Sequence, residues 1–314
     1  MNMVYQYIFG PIPSRRLGVS LGIDLVPLKT CSFNCIFCEC GKTTDLTIER
    51  RKYFPTMAII KEVDDYLSGR PELDYITFSG SGEPTLHSGI GKIAHHIKSN
   101  YPEYKLALLT NGSLLWDESV RKDLLEMDVI IPSMNGISEQ IFMKINRPHP
   151  SLSCAQVVKG LKALRSEYTG EIWLEIFIIP GLNDTEEELD LMKSAIREIC
   201  PDKVQLNALD RPGVVDWITV PSFSGMERII ELLDYHDIEV VSSIASRSEI
   251  QGIPGDVVEE ILMTIRRRPC TVSDLSRICN LKPTEIIKHI EVLLEKGEIV
   301  AKNEKRGVFY SINK

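Results

Sequence analysis

The chain has 314 residues, more than a single core usually supports and fewer than two full-sized domains need. With 43% hydrophobic and 25% charged residues it has the make-up of an ordinary folded protein, which excludes collagen-like and disordered classes. Its 36 basic and 44 acidic residues leave a net charge of −8, which excludes a nucleic-acid surface over the whole chain.

In chain order, residues 19–28 read as a strand, followed by a helix over 57–68 with Pro55 at its boundary and Thr56 as its cap. A strand over 75–78 runs into the turn Ser79-Gly80-Ser81-Gly82-Glu83-Pro84, and a helix follows over 90–99. The strand 105–109 ends at Thr110-Asn111-Gly112, and after a helix near 118–126 the strand 129–132 ends at Ser133-Met134-Asn135-Gly136. Helices over 139–145 and 155–166 lead to the strand 171–179, which closes on Pro180-Gly181-Leu182-Asn183-Asp184. Thr185 caps an acidic-started helix over 186–199; a strand at 203–206, a helix at 226–235 and a strand at 239–243 complete the series. Alternation of this kind demands a parallel sheet with helices outside it. Six or so βα units are too few for an eightfold barrel, so the expected fold is α/β, a partial (β/α)6 TIM-like barrel.

The polar, glycine-bearing segment 246–255 reads as a linker between a core domain over 1–245 and a small domain over 256–314. In the small domain, a helix over 257–267, a capping-box sequence Thr271-Val272-Ser273-Asp274, a helix opened by Pro283 and closed by Gly297, and strands at 298–302 and 308–312 describe a winged helix. Nowhere do about 18 apolar residues run together, so no membrane span is expected. The first residues, MNMVYQYIFGPIPSRR, lack the regions of a secretory signal, and a cytoplasmic location follows as the expectation.

Four of the eight cysteines, at 31, 35, 38 and 40, fall within ten residues, which reads as metal ligation or redox chemistry rather than a disulfide framework. Cys31, Cys35 and Cys38 form a C-x3-C-x2-C spacing, and three thiolates on one short loop can hold three corners of a [4Fe–4S] cubane, leaving the fourth iron free. A tetrahedral zinc site with Cys40 as fourth ligand is the alternative. Cys154, Cys200, Cys270 and Cys279 read as free, buried thiols.

The cysteine spacing, with Phe37 directly before Cys38, resembles the signature of the radical S-adenosylmethionine (SAM) superfamily, and further motifs match in order over residues 10–245. The turn from Gly80 through Gly82 and Glu83 is similar to the family's glycine-rich motif for the methionine amino group of SAM. Asn111 lies in the third-strand segment, Ser133 and Asn135 where ribose or carboxylate contacts occur, and Asn183 in the motif beside the adenine. Phe37 belongs to the same cofactor-binding set. The residues 10–18, GPIPSRRLG, and 22–27, GIDLVP, resemble the wybutosine-synthase-like branch of Fe–S oxidoreductases. What the resemblance implies is a [4Fe–4S] cluster on Cys31, Cys35 and Cys38 and reductive cleavage of SAM to a 5′-deoxyadenosyl radical. That radical would abstract hydrogen from a substrate such as RNA, slightly favoured, or a polypeptide. No cysteine precedes Cys31 and no flavodoxin-like domain is present, so an external electron donor, ferredoxin or flavodoxin, is implied.

Arg15 and Arg16 could clamp an anion or hold the N-terminal arm; Lys42 and Arg147 are further candidates near the site, and His87, His95 and His96 read as packing residues. Residues 256–314 carry a net charge of +2, with Lys282, Lys288, His289, Lys305 and Arg306 where such a domain would meet DNA, though peptide docking or a structural role fits as well. An Fe–S redox-sensing DNA-binding regulator is therefore the alternative function.

Overall fold

Alternation along the parallel strands decides where the site lies. The computed structural model describes residues 5–241, 257–279, 281–304 and 306–313; the expected linker 246–255 and Lys305 lie outside these. The larger unit runs β1 (Ile8–Ser14), β2 (Gly18–Asp24), β3 (Thr30–Cys31), β4 (Asp45–Leu46), α1 (Thr56–Leu67) and β5 (Tyr75–Ser79). It continues with α2 (Ile90–Asn100), β6 (Leu106–Thr110), α3 (Glu118–Asp123), β7 (Val129–Pro132), α4 (Glu139–Asn146) and α5 (Cys154–Glu167). Then come β8 (Glu171–Phe177), α6 (Glu186–Ile199), β9 (Lys203–Asn207), α7 (Phe223–Leu233) and β10 (Ile238–Val240). The main sheet has the order β1-β2-β5-β6-β7-β8-β9-β10, parallel throughout except for β1, which pairs antiparallel with β2. This is the expected partial barrel, six parallel strands extended by β10 at one edge and by the N-terminal arm at the other.

Successive residues of each strand face opposite ways. Leu21, Ile23, Ile76, Phe78, Leu174 and Ile176 join the core beneath the helices, with Ile59, Ile93, Leu161 and Ile196 of α1, α2, α5 and α6. Their neighbours Ser20, Gly22, Thr77, Ser79, Glu175 and Asn207 line the concave side instead. An apolar outer row and a polar inner row therefore build a barrel that is packed outside and able to hold a ligand inside. The cap of α6 is as expected, with Thr185 accepting from Glu188 N–H. The cap of α1 is not: Pro55 takes the cap position in extended geometry, and Thr56 becomes the first helical residue.

The C-terminal unit contains α8 (Val257–Arg267), β11 (Cys270–Thr271), α9 (Val272–Ile278), α10 (Pro283–Glu295), β12 (Ile299–Glu304) and β13 (Gly307–Ile312). Its three strands form an antiparallel sheet in the order β11-β13-β12. Thr271 and Asp274 form a reciprocal capping box at α9. Ile261, Ile265, Leu275, Ile286, Ile290 and Ile299 make a core of their own, against which Ile12 of the arm packs. No helix among the described residues is long and apolar enough to cross a membrane.

A chain of ion pairs centred on the buried Arg211 and Asp274 fastens this unit to the barrel. Arg211, 3% exposed, lies 3.2 Å from Glu39 of the cysteine loop and 3.7 Å from Asp274 of α9. Arg306 pairs with Asp274 at 2.7 Å and Asp210 at 3.3 Å, and its guanidinium stacks on Phe309. The sequence reading placed Arg306 where a wing tip meets DNA; it is instead consumed by carboxylates in the joint between the units. Two neighbouring acids in a poorly hydrated joint hold a guanidinium more firmly than solvent would.

Candidate functional site

The cysteine loop is built at the carboxyl end of β2 and is fixed by backbone contacts with three other segments. Thr30 and Cys31 pair in parallel with Asp45 and Leu46. Asn34 N–H donates to the carbonyls of Asn146 and Arg147, and Ile36 N–H to Ile145. The glycine-rich turn clasps the start of the loop, where Lys29 N–H donates to Ser81 O and Glu83 N–H to Thr30 O. At Gly82 a β-carbon would fall 2.0 Å from Thr30 O, so only glycine lets the turn lie this close.

Each of the three motif thiols receives one N–H donor. Lys29 Nζ lies 3.1 Å from Cys38 Sγ, Asn111 Nδ2 3.5 Å from Cys31 Sγ and Asn146 Nδ2 3.5 Å from Cys35 Sγ. Burial pushes Cys31 up to about 12, with Glu83 adding to the effect, and burial also raises Cys35. Cys38 is pulled down to about 5, first by a hydrogen bond from Cys40 and then by the Lys29 ammonium. Among the described residues no three His, Cys, Asp or Glu side chains converge on one point, as a single metal ion would require. A cubane makes a different demand, one thiolate at each of three separate irons, and a loop that supplies an N–H donor to each sulfur suits thiolates carrying negative charge.

The other sequence candidates divide into two groups. Phe37, Gly80 and Ser79 line the cavity, and the Phe37 ring stacks on Phe177 with centroids 4.1 Å apart. Asn111 reaches the loop as described and also bonds Ser32 Oγ. Glu83 is 1% exposed, and its carboxylate already accepts from Thr85 N–H, Thr85 Oγ1, Thr110 Oγ1 and Asn111 N–H. It braces the turn to the end of β6. Asn183 is fully buried, accepting from Ile179 N–H and donating to the carbonyls of Asn135 and Phe177, while Asn135 accepts from Phe177 N–H. These two amides tie the ends of β7 and β8 together. Ser133 lies beside Glu175, its hydroxyl 3.5 Å from the carboxylate, and Arg16 forms an ion pair with Glu175. Asn183→Leu leaves three buried backbone groups unpaired and is expected to cost about 3 kcal/mol, read as a lowered midpoint in urea unfolding.

Sequence reasoning missed Lys29 and Asn146, whose partners are set by the fold and not by a motif, and it misjudged Cys200, which is exposed. It also missed that the cavity, about 380 Å³, has a wall from the C-terminal unit. Glu260, Met263, Thr264 and Arg267 of α8 face it, opposite Arg16 of the arm and Phe37 of the cysteine loop. Arg267 stacks on Phe9 and lies 3.6 Å from Asp24, which in turn sits against Gly80 and Ser81.

Burial raises Asp24 to about 6, partly opposed by Arg267. The folded value lies above that of the unfolded chain, so the native state keeps a proton that the unfolded state has lost. Stability is accordingly expected to fall as pH rises from about 4 to about 6, and Asp24→Asn should flatten that slope in urea titrations at successive pH values.

The family model of the radical SAM superfamily matches residues 25–192, which contain the cysteine loop and the strand ends from β5 to β8. The chain belongs to the radical SAM superfamily. It is an enzyme of that superfamily, and its cofactors are SAM and a [4Fe–4S] cluster. It is 31% identical to a UPF0026 protein of Methanocaldococcus jannaschii, over 97% of this chain and 95% of that protein. A protein of Brachyspira hyodysenteriae named GTPase Obg is 33% identical over 98% of this chain, which spans only 45% of that longer protein. Among solved structures, a radical SAM methyltransferase from Sphaerobacter thermophilus superposes with a TM-score of 0.54 at 14% identity, covering 70% of this chain and 66% of that one. SuiB of Streptococcus suis bound to S-adenosylmethionine gives 0.51 at 13% identity, covering 68% and 49%. These two likenesses concern the fold alone.

Proposed function

We propose that this radical SAM enzyme abstracts hydrogen from a residue of a polypeptide, inserted singly into the cavity between the cysteine loop and α8. When bound, the cluster and SAM supply one-electron cleavage to methionine and a 5′-deoxyadenosyl radical that takes a hydrogen atom from the substrate. Cys31, Cys35 and Cys38 hold the cluster, and Lys29, Asn111 and Asn146 donate to their sulfurs. Removing the Lys29 charge, as in Lys29→Met, is expected to make the cluster harder to reduce, seen as a more negative midpoint in a redox titration.

The backbone of Gly80 and Gly82, braced by Glu83, receives the methionine end of SAM, and the Phe37–Phe177 pair offers the adenine a flat wall. Asn135 and Asn183 keep the β7 and β8 ends in place, and Ser133 positions Glu175 on the inner face. The electron comes from an external donor, ferredoxin or flavodoxin.

The observation that carries the substrate reading is the wall of α8, whose Glu260, Met263, Thr264 and Arg267 line the same cavity as Phe37 and Cys38 of the cysteine loop, which suits a side chain presented from a larger substrate. The outer face of the C-terminal unit favours a polypeptide over RNA. At the start of α10 and along it, the exposed Lys282 and Lys288 are interspersed with Glu285, Glu291 and Glu295 and with the exposed Ile287 and Val292, while Arg306 is already paired. The same features weigh against the DNA-binding regulator. Desalted cell extract should raise 5′-deoxyadenosine formation by the reconstituted enzyme. Prior digestion of the extract with protease should abolish the rise, and ribonuclease should leave it. Loss on ribonuclease treatment would make RNA the substrate.

A further inference from the structure

Glu260, Met263, Thr264 and Arg267 recur at i, i+3, i+4 and i+7 along α8, so a single face of the helix meets the cavity. The opposite face buries Ile261 and Ile265 in the unit's own core. The two ends of the cavity face are not alike. Arg267 is held by Asp24 and Phe9. The other cavity arginines also have carboxylates: Arg15 has Asp210, Arg16 has Glu175, Arg211 has Glu39, and the charge of Arg268 is felt by Glu39.

Glu260 has none of this. Among the described residues it makes no hydrogen bond and no ion pair, although it lines the cavity and is partly buried. Burial alone pushes it up to about 7, with no neighbouring charge contributing. An acid removed from water without a partner opposes folding, whereas the same acid is well matched to a ligand that brings a cation or strong donor. Arg15, Arg16, Arg211 and Arg267 are each ion-paired and Arg268 lies just past the far end of α8, so the uncommitted charge at the Glu260 end of this wall is negative.

Resting on the radical SAM reading of the cavity, we propose that Glu260 is a substrate-binding residue that receives a primary ammonium group of the substrate. In a polypeptide that group is a lysine side chain or a chain terminus; a free aliphatic amine offers the same chemistry.

The probe is dansylcadaverine, a fluorescent primary amine, compared with dansyl-pentylamide, which lacks the ammonium, and with a dansyl-Gly-Lys-Gly peptide. Binding to the full-length, cluster-loaded enzyme is read by fluorescence anisotropy under anaerobic conditions. The ammonium probe should bind about tenfold or more tightly than the neutral one, and Glu260→Gln should reduce it to the neutral level. Glu260→Asp should keep a preference for the ammonium. A peptide bound more tightly than dansylcadaverine identifies a lysyl residue as the source, and the reverse order identifies a free amine. Gln is nearly isosteric and removes an unpartnered acid, so the variant's thermal midpoint should equal or exceed that of the wild type, which separates lost binding from lost folding. Equal binding of charged and neutral probes, no binding of either, or an ammonium affinity unchanged in Glu260→Gln each overturns the inference. Formation of 5′-deoxyadenosine by the wild type, measured alongside, tests the radical SAM reading separately.

Discussion

Serine substituted singly for Cys31, Cys35 or Cys38 should reduce bound iron from about four per chain to less than about one, and 5′-deoxyadenosine formation by at least about 100-fold. A cubane held at three corners has no surplus ligand, so each thiolate is indispensable, and the serine hydroxyl is a poor substitute for a soft sulfur donor. Cys40→Ser provides the contrast. Cys40 lies beside Cys38 and outside the three-cysteine spacing, and its removal is expected to leave iron content near that of the wild type. Iron and acid-labile sulfide analysis of anaerobically purified protein reads both results. Equal losses in all four variants would mean that Cys40 is a ligand and that the fourth corner is closed.

Arg211→Met is the variant with the largest expected effect on stability. Its guanidinium lies among Glu39, Asp210 and Asp274, and methionine keeps much of the bulk while removing the ion-pair partner of Glu39 and one of the cations beside Asp210 and Asp274. Removing one member of a buried ionic set costs about 3–5 kcal/mol, because the remaining charges stay desolvated. Loss is expected at the joint between the units first. Hydrogen exchange should therefore speed up in α8 and α9 before it does in β5 and β6, and the urea midpoint should fall. Arg211→Lys should recover part of the loss, since it restores the charge without the planar fork.

Much of the barrel was legible because its strands are short apolar runs bounded by turns, and because helix caps such as Thr185 and the Thr271–Asp274 box are local chemistry. The cysteine loop was legible for the same reason, its ligands lying close together in sequence. The arm β1 was not recognised as a strand: Ile8–Ser14 contains two prolines and a glycine, which argue against a strand except at a sheet edge, where it in fact lies. Lys29 and Asn146 carry no motif; the latter reaches Cys35 across 111 residues. The joint between the units was hidden by the same distance, since Arg211 and Glu39 are 172 residues apart and each alone reads as a solvated charge. Glu83, Asn135 and Asn183 show a subtler limit. Sequence pattern placed them at the strand ends, but their polar atoms are bonded to neighbouring strands and turns that only the fold brings close.

The measurement that bears most directly on this account is the reaction of the anaerobically reconstituted wild type with SAM and dithionite, followed by quantifying 5′-deoxyadenosine and methionine. Three sulfur ligands and an open iron corner predict that both products form in equal amounts. Protein carrying a full complement of iron and sulfide that leaves SAM intact would contradict it.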